Sequence, residues 1–183
     1  MAYGDLVTAS KEAPIEIVTY DPSWPQRFEE EARVLRPSLA KWLAGPIEHI
    51  GSTAVPGIVA KPVIDIMAGV STLDASRPAI AAVAALEYSY APYNSEFEHW
   101  FCKPSPAFRT HHLHLIPVAT EQWTRRLAFR DYLRAHPDTA AEYAALKREL
   151  AGKFRLDREA YTEAKRPFID RITDLAMGGR SHK

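Results

Sequence analysis

The chain has 183 residues, 46% of them hydrophobic and 25% charged, the composition of a globular protein long enough for a real core. Its formal net charge is zero, so no global field draws it to polymeric nucleic acid or to an anionic membrane, and any phosphate chemistry has to rest on local charge. The single cysteine excludes an internal disulfide, no apolar run approaches the ~18 residues of a membrane span, and no signal-peptide pattern opens the chain; a soluble, cytoplasmic protein is expected.

Residues 1–14 are mixed and aperiodic and read as a flexible lead-in, followed by one domain over 15–177 and a tail at 178–183. A sheet core is expected over 15–118 and a helical part over 120–177. Ile15 to Tyr20 alternates, with Ile15 and Ile17 inward and Glu16 outward, which predicts a short strand. Ser23 and Gln26 have the spacing of a capping box at a helix start. Phe28, Leu35, Leu39 and Leu43 give that helix an apolar stripe, and Pro37 predicts a kink or a break in it. Two apolar runs follow, Ile47–Ile50 and Val63–Val70, both predicted strands. Asp74 to Leu86 reads as an amphipathic helix through Ile80, Val83 and Leu86. Tyr88–Tyr93 and Phe97–Cys102 read as a hairpin joined at Asn94 and Ser95, and Pro104–Pro106 as a loop. His111–Val118 is the third strong strand, with His112, His114 and Ile116 on one face and Leu113 and Leu115 on the other. From Thr120 only helices are predicted. Thr120 caps one that runs to His136, Pro137 begins another to Lys153, and Asp157 caps a last one ending at Gly178 and Gly179, with Phe168, Ile172 and Leu175 as its stripe.

The stretch Ile47–Val70 carries the chemistry. Asp65 stands inside an apolar strand, where a charge costs several kcal/mol unless it is paired or bound. Gly51 and Ser52 leave the preceding strand in a turn able to offer backbone N–H groups and a hydroxyl to an anion. One reading is a plain turn beside a buried carboxylate paired with Lys61 or a histidine; the other is a phosphate and metal site. His112 and His114 share a strand face, so both imidazoles can reach one ligand. With Asp65 they make a two-histidine, one-carboxylate set suited to Mn²⁺, Fe²⁺ or Zn²⁺ more than to Mg²⁺. A phosphate contact, a proton-transfer role, or one packed and one solvated histidine are the other readings of the pair. His49 either faces the cleft mouth or is a strand-end histidine satisfied by backbone.

The cationic candidates are Lys61, Lys103, Arg109, Arg126, Arg130, Arg134, Lys147, Arg158 and Lys165. Arg126, Arg130 and Arg134 line one helical stripe, as do Arg158, Tyr161 and Lys165, and a solvated face is the plain alternative for both. Arg130, with its bidentate fork, is the best clamp for a phosphate or carboxylate, followed by Lys61 and Lys103. Asp131 either orients Arg130 or pairs with Arg134. Cys102 reads as a buried strand cysteine, and the four tryptophans as core or staple residues, with Trp100 also able to stack on a nucleobase. There is no P-loop, Rossmann fingerprint or zinc knuckle.

Two resemblances narrow these options. Ile50-Gly51-Ser52 followed by Asp65-Ile66 resembles the nucleotidyltransferase superfamily pattern, which places a second carboxylate two residues past the first and a third on a later strand. This chain has Met67 at the second place, and the resemblance maps His112 or His114 onto the third. The longer motifs HIGSTAVPG, AKPVIDI, the HLH strand, FRDYLR, EYAALK and the last helix with Lys165 and Phe168 resemble the GrpB family, from Val18 to Ala176. That family is placed in the nucleotidyltransferase-like superfamily. The resemblance implies an α+β fold, a nucleotidyltransferase-like mixed sheet flanked by helices with a helical C-terminal segment packed on it. It implies no particular reaction; from the cleft residues a nucleotide or other anionic small molecule is expected as substrate, with His49, Gly51, Ser52, Thr53, Lys61, Lys103, Arg109, Arg130 and Lys165 as binding residues. Asp65, His112 and His114 are then catalytic and metal-holding residues, with Mg²⁺, Mn²⁺ or Zn²⁺ and a nucleoside triphosphate as the expected cofactors. No nucleic acid polymer and no membrane are expected as partners. A different group transfer in the same cleft, or metabolite binding alone, is the alternative.

Overall fold

The computed structural model describes residues 13–179. The predicted frayed end at 180–183, and the predicted lead-in apart from its last two residues, lie outside the described residues. The elements run α1 (Trp24–Leu39), β1 (Leu43–Ile50), β2 (Ile64–Val70), α2 (Leu73–Ser76), α3 (Ala79–Ala84), β3 (Ser89–Ala91), β4 (His99–Pro104), β5 (Arg109–Pro117), α4 (Glu121–Ala135), α5 (Pro137–Lys153) and α6 (Arg158–Ala176), with a 3-10 turn at Ser52–Ala54. The strands form one mixed sheet in the order β1-β2-β5-β4-β3. Only β2 and β5 are parallel; the other neighbours are antiparallel. A parallel pair needs a long crossover, and here α2, α3 and the β3–β4 hairpin supply it. The fold is α+β.

Side chains alternate across the sheet, so each strand divides its residues between two faces. Ile64, Ile66 and Ala68 of β2, Phe101 of β4, and Leu113 and Leu115 of β5 pack with Trp24, Phe28, Leu35 and Leu39 of α1. On the opposite face Ile50, Met67 and Ile116 pack under Trp123 of α4. The three C-terminal helices hold to one another and to the β1–β2 connection through Val55, Ile58, Leu133, Tyr143, Phe168 and Ile172. They cover this second face only at the Trp123 end, and a cleft remains over the rest.

Several local expectations are corrected. Residues 15–20 are not a strand of the sheet: Val18 makes a lone bridge with Ala60, and the Ile15 N–H donates to the Arg155 carbonyl at 2.9 Å. Ile15 and Ile17 bury themselves against the C-terminal helices instead. Ser23 does not cap α1, because its backbone is already helical; Asp21 Oδ1 accepts its N–H at 2.8 Å, and Gln26 turns to Glu30. Pro37 neither breaks nor divides α1, which continues through it to Leu39. Leu43 belongs to β1, which starts earlier than predicted and passes Pro46 through an irregularity between Leu43 and Ile47, as an edge strand tolerates. The predicted helix over 74–86 is two short helices, capped by Thr72 and separated at Arg77 and Pro78. Pro104 ends β4 rather than opening a loop. Leu175 is 52% exposed, so only Phe168 and Ile172 form the buried stripe of α6.

Candidate functional site in the cleft

The parallel pairing of β2 and β5 sets Asp65 directly opposite His112. Asp65 Oδ1 and His112 Nδ1 are 2.8 Å apart. His114, two residues on, keeps the same face, with its ring centroid 6.4 Å from that of His112. One ligand atom from each of Asp65, His112 and His114 lies within 4.8 Å of the others. Burial alone would push the Asp65 carboxyl up, but the hydrogen bond and charge of His112, with His114 and Lys61, hold it well below the usual carboxylate range. Burial pushes His112 down, against the pull of Asp65. The ionised carboxylate is an acceptor only, so His112 Nδ1 carries the hydrogen and Nε2 keeps its lone pair. That Nε2 is buried and has no hydrogen-bond partner.

The Gly-Ser turn closes on this pair. Gly51 has φ 71, a conformation that favours glycine, and a Cβ there would stand 2.3 Å from Asp65 Oδ2. Only glycine lets the turn lie against the carboxylate. Ser52 and the buried Tyr143 both line the cleft. The Thr53 hydroxyl is committed elsewhere, donating to the Val63 carbonyl at 3.3 Å and meeting His49 Nε2 at 3.0 Å.

Around the carboxylate the cleft encloses about 1040 Å³ and is lined by Lys61, Arg109, Arg126 and Lys165 among other residues. Lys165 and Lys61 lie 4.3 and 5.2 Å from the centroid of the Tyr161 ring. Arg109 lies 5.2 Å from the Trp100 ring.

Three expected contributors lie elsewhere. His49 alternates with Ile50, so it faces α1, where it stacks on Phe28 with ring centroids 4.8 Å apart. Lys103 alternates with Cys102 in the same way, and its ammonium sits 2.9 Å from Glu31 on the α1 face. Arg130 does not clamp a ligand in the cleft. Its guanidinium donates to Glu48 at 2.7 Å, to the His49 carbonyl at 3.0 Å and to Asp131 at 2.8 Å, pinning α4 to the edge strand. Asp131 thus does orient Arg130.

One carboxylate of the site is not singled out by the sequence. Glu98 is 2% exposed at the start of β4, with Oε2 2.6 Å from His114 Nδ1. Arg126, one helical turn before Arg130, donates to both Glu98 oxygens at 3.0 and 2.9 Å. Burial opposes the charge, but His114 and Arg126 bring the carboxyl down to about 2. The available signal is the alternation of Glu98, Trp100 and Cys102 in a strand whose partner carries the two histidines. The cleft therefore holds two carboxylate–imidazole pairs side by side, Asp65–His112 and Glu98–His114.

Comparison with known proteins agrees with this architecture. A UPF0157 protein of Pseudomonas aeruginosa is 42% identical over 172 residues, which are 92% of this chain and 70% of that protein. The glutamate-rich protein GrpB of Alkalihalophilus pseudofirmus is 32% identical over 161 residues, 85% of this chain and 92% of the relative. The crystal structure of the conserved protein GrpB from Enterococcus faecalis superposes with a TM-score of 0.80 at 34% identity, covering 88% of this chain and 97% of the other. The GrpB protein family profile matches residues 14–175. The chain belongs to the GrpB family.

Proposed function

We propose that the cleft binds an anionic small molecule, a nucleotide or a related metabolite, together with a divalent metal, and that the protein transfers a nucleotidyl or related group from it to a small acceptor. The convergence of Asp65, His112 and His114 within 4.8 Å supports this reading. The donor set fits a metal: a carboxylate and two imidazoles, each with one ligand atom within 4.8 Å of the others, are ligands for Zn²⁺ or Mn²⁺. A divalent ion at this place would polarise a phosphoryl oxygen. Gly51 and Ser52 would offer backbone N–H groups and a hydroxyl to the anion. Lys61 and Arg109 would offset the charge that develops on the transferred group, and Glu98 would hold the His114 ring in place as a ligand.

A second reading has its own observation. Met67, at the place of the second carboxylate of a nucleotidyltransferase, is 0% exposed in an apolar cluster with Ile50, Ile116 and Trp123. Two-metal chemistry lacks a hard oxygen ligand there, which favours a different small-molecule group transfer, or binding alone, in the same cleft. Calorimetry with Mn²⁺, Zn²⁺ and Mg²⁺, each with and without a nucleoside triphosphate, separates these. Metal-dependent nucleotide binding that is lost in Asp65→Asn, with pyrophosphate release when an acceptor is supplied, carries the first reading. Binding without pyrophosphate release favours the second. No metal or anion binding to the wild type, with Asp65→Asn indistinguishable from it, ends both.

A further inference from the structure

The helix α6 side of the cleft holds a reactive corner that the metal ligands do not use. Lys165 follows Tyr161 by one helical turn, so its side chain folds over that ring. Lys61 brings a second ammonium to the same ring from the β1–β2 connection. Tyr161 is 1% exposed, and burial pushes its phenol up, so it stays neutral and supplies no negative charge to hold either ammonium protonated. Among the described residues Lys165 has neither an ion pair nor a hydrogen bond, only the ring. It lines the cleft and is half-buried. Burial first, and the charge of Lys61 next, bring the Lys165 ammonium down to about 7, against the pull of Asp65. A desolvated amine beside a second cation is an activated nucleophile. Lys147 is the contrast inside the same protein. Burial also brings it to about 7, but it is 2% exposed and its ammonium is committed to the Val59 carbonyl, although it too lines the cleft.

We propose that Lys165 is a covalent amine site that forms an imine with the carbonyl group of an anionic small molecule held beside Lys61. The Nζ lone pair attacks the carbonyl carbon, the C–N bond forms and the π pair moves to oxygen. A proton passes from nitrogen to oxygen, the C–O bond breaks, and the oxygen leaves as water after taking a second proton, giving a protonated imine. No oxidant, reductant or metal enters the balance. The anionic part of the inference rests on the cleft being an anion site; the reactivity of the amine does not.

Two aldehyde probes test these parts separately. The full chain, without added metal, is treated at pH 7 with propionaldehyde or with pyridoxal 5′-phosphate, each with sodium cyanoborohydride, and the labelled lysines are mapped by mass spectrometry. Lys165 is expected to be labelled by propionaldehyde about tenfold faster than exposed lysines, because a far larger fraction of it is unprotonated, and to gain a further advantage with the phosphorylated probe. Lys165→Arg loses that label and keeps its melting temperature. Lys61→Ala removes the phosphate advantage and slows the neutral probe, since the depressing charge is gone. Labelling of Lys165 by propionaldehyde no faster than of surface lysines, or labelling of Lys147 ahead of it, overturns the proposal. A fast neutral probe with no phosphate advantage leaves the amine reactive but overturns the anionic carbonyl substrate and, with it, the anion site at Lys61. Should Lys165→Arg fold poorly, Lys165→Met with the same mapping replaces it.

Discussion

On the α1 face of the sheet, Lys103 meets Glu31 at 2.9 Å and Tyr88 donates to the same carboxylate at 3.1 Å, while His49 is stacked on Phe28 and bonded to Thr53. On the opposite face Asp65, His112, His114 and Glu98 are also paired, but they line an open cleft, and one imidazole nitrogen there is left without a partner. The two faces differ less in the residue types they carry than in what covers them. Helix α1 covers its face with Trp24, Phe28, Leu35 and Leu39, joined by Ala79 and Val83 of α3. Helix α4 seals only the end where Trp123 rests on Met67 and Ile116. A polar side chain on the covered face meets only protein, and His99 there finds the Leu73 carbonyl with Nε2 while its Nδ1 goes unpartnered; one beside the cleft also faces space that a ligand can enter.

The largest expected effect breaks this contrast at its boundary. Met67→Asp puts the missing carboxylate of a nucleotidyltransferase at its expected place, yet under Trp123 it is a buried, unpaired charge. It should cost roughly 4 to 5 kcal/mol or leave no folded protein, as read by urea denaturation, and should not create transferase activity. A stable Met67→Asp protein would mean that α4 lifts from the sheet and that the cleft extends further than described. Next comes Glu31→Gln on the closed face. Stranding the Lys103 ammonium there should cost about 3 kcal/mol in the same measurement and leave anion binding in the cleft unchanged; a matching loss of binding would show that the faces are coupled.

The smallest effect concerns His49. Burial, reinforced by Arg134 and Arg130 and opposed by Asp65, brings it down to about 4. With the folded value below the unfolded 6.5, the unfolded chain binds the proton more tightly. Stability from this group is complete above about pH 6.5 and falls as the pH is lowered towards about 4. Between pH 8 and pH 5 the loss is about 2 kcal/mol, visible as the difference between wild type and His49→Gln across a pH series of denaturation curves. Parallel curves would place His49 in contact with water.

Asp65, His112 and His114 were legible because strand alternation and the cost of a charge in an apolar run are local rules. The same alternation, applied to Ile50 and Cys102, sends His49 and Lys103 away from the cleft. For these two residues charge and nearness in sequence point to the cleft while parity points away from it, and parity decides. Arg130 and Arg126 are a different case. Both belong to one helical stripe, and the tilt of α4 across the sheet decides that one grips Glu48 and the other Glu98. No local pattern contains that tilt. Glu98 was hidden for a related reason, since a carboxylate at the start of a predicted hairpin strand looks solvated until β4 is laid beside β5. The break at Arg77 and Pro78, by contrast, could have been read from the proline.

The pairing of β2 with β5 makes the Asp65–His112 contact a property of strand register. The distance between their Cα positions is set by main-chain hydrogen bonds, which are indifferent to the side chains they carry. Exchanging the two residues, Asp65→His with His112→Asp, therefore keeps a carboxylate and an imidazole facing one another in mirror arrangement. A slip of β2 by one residue would hand Asp65 to the α1 face while His112 and His114 stayed in the cleft. The chemistry is portable in that sense: another sheet with a parallel pair and one uncovered end has the frame on which to carry it.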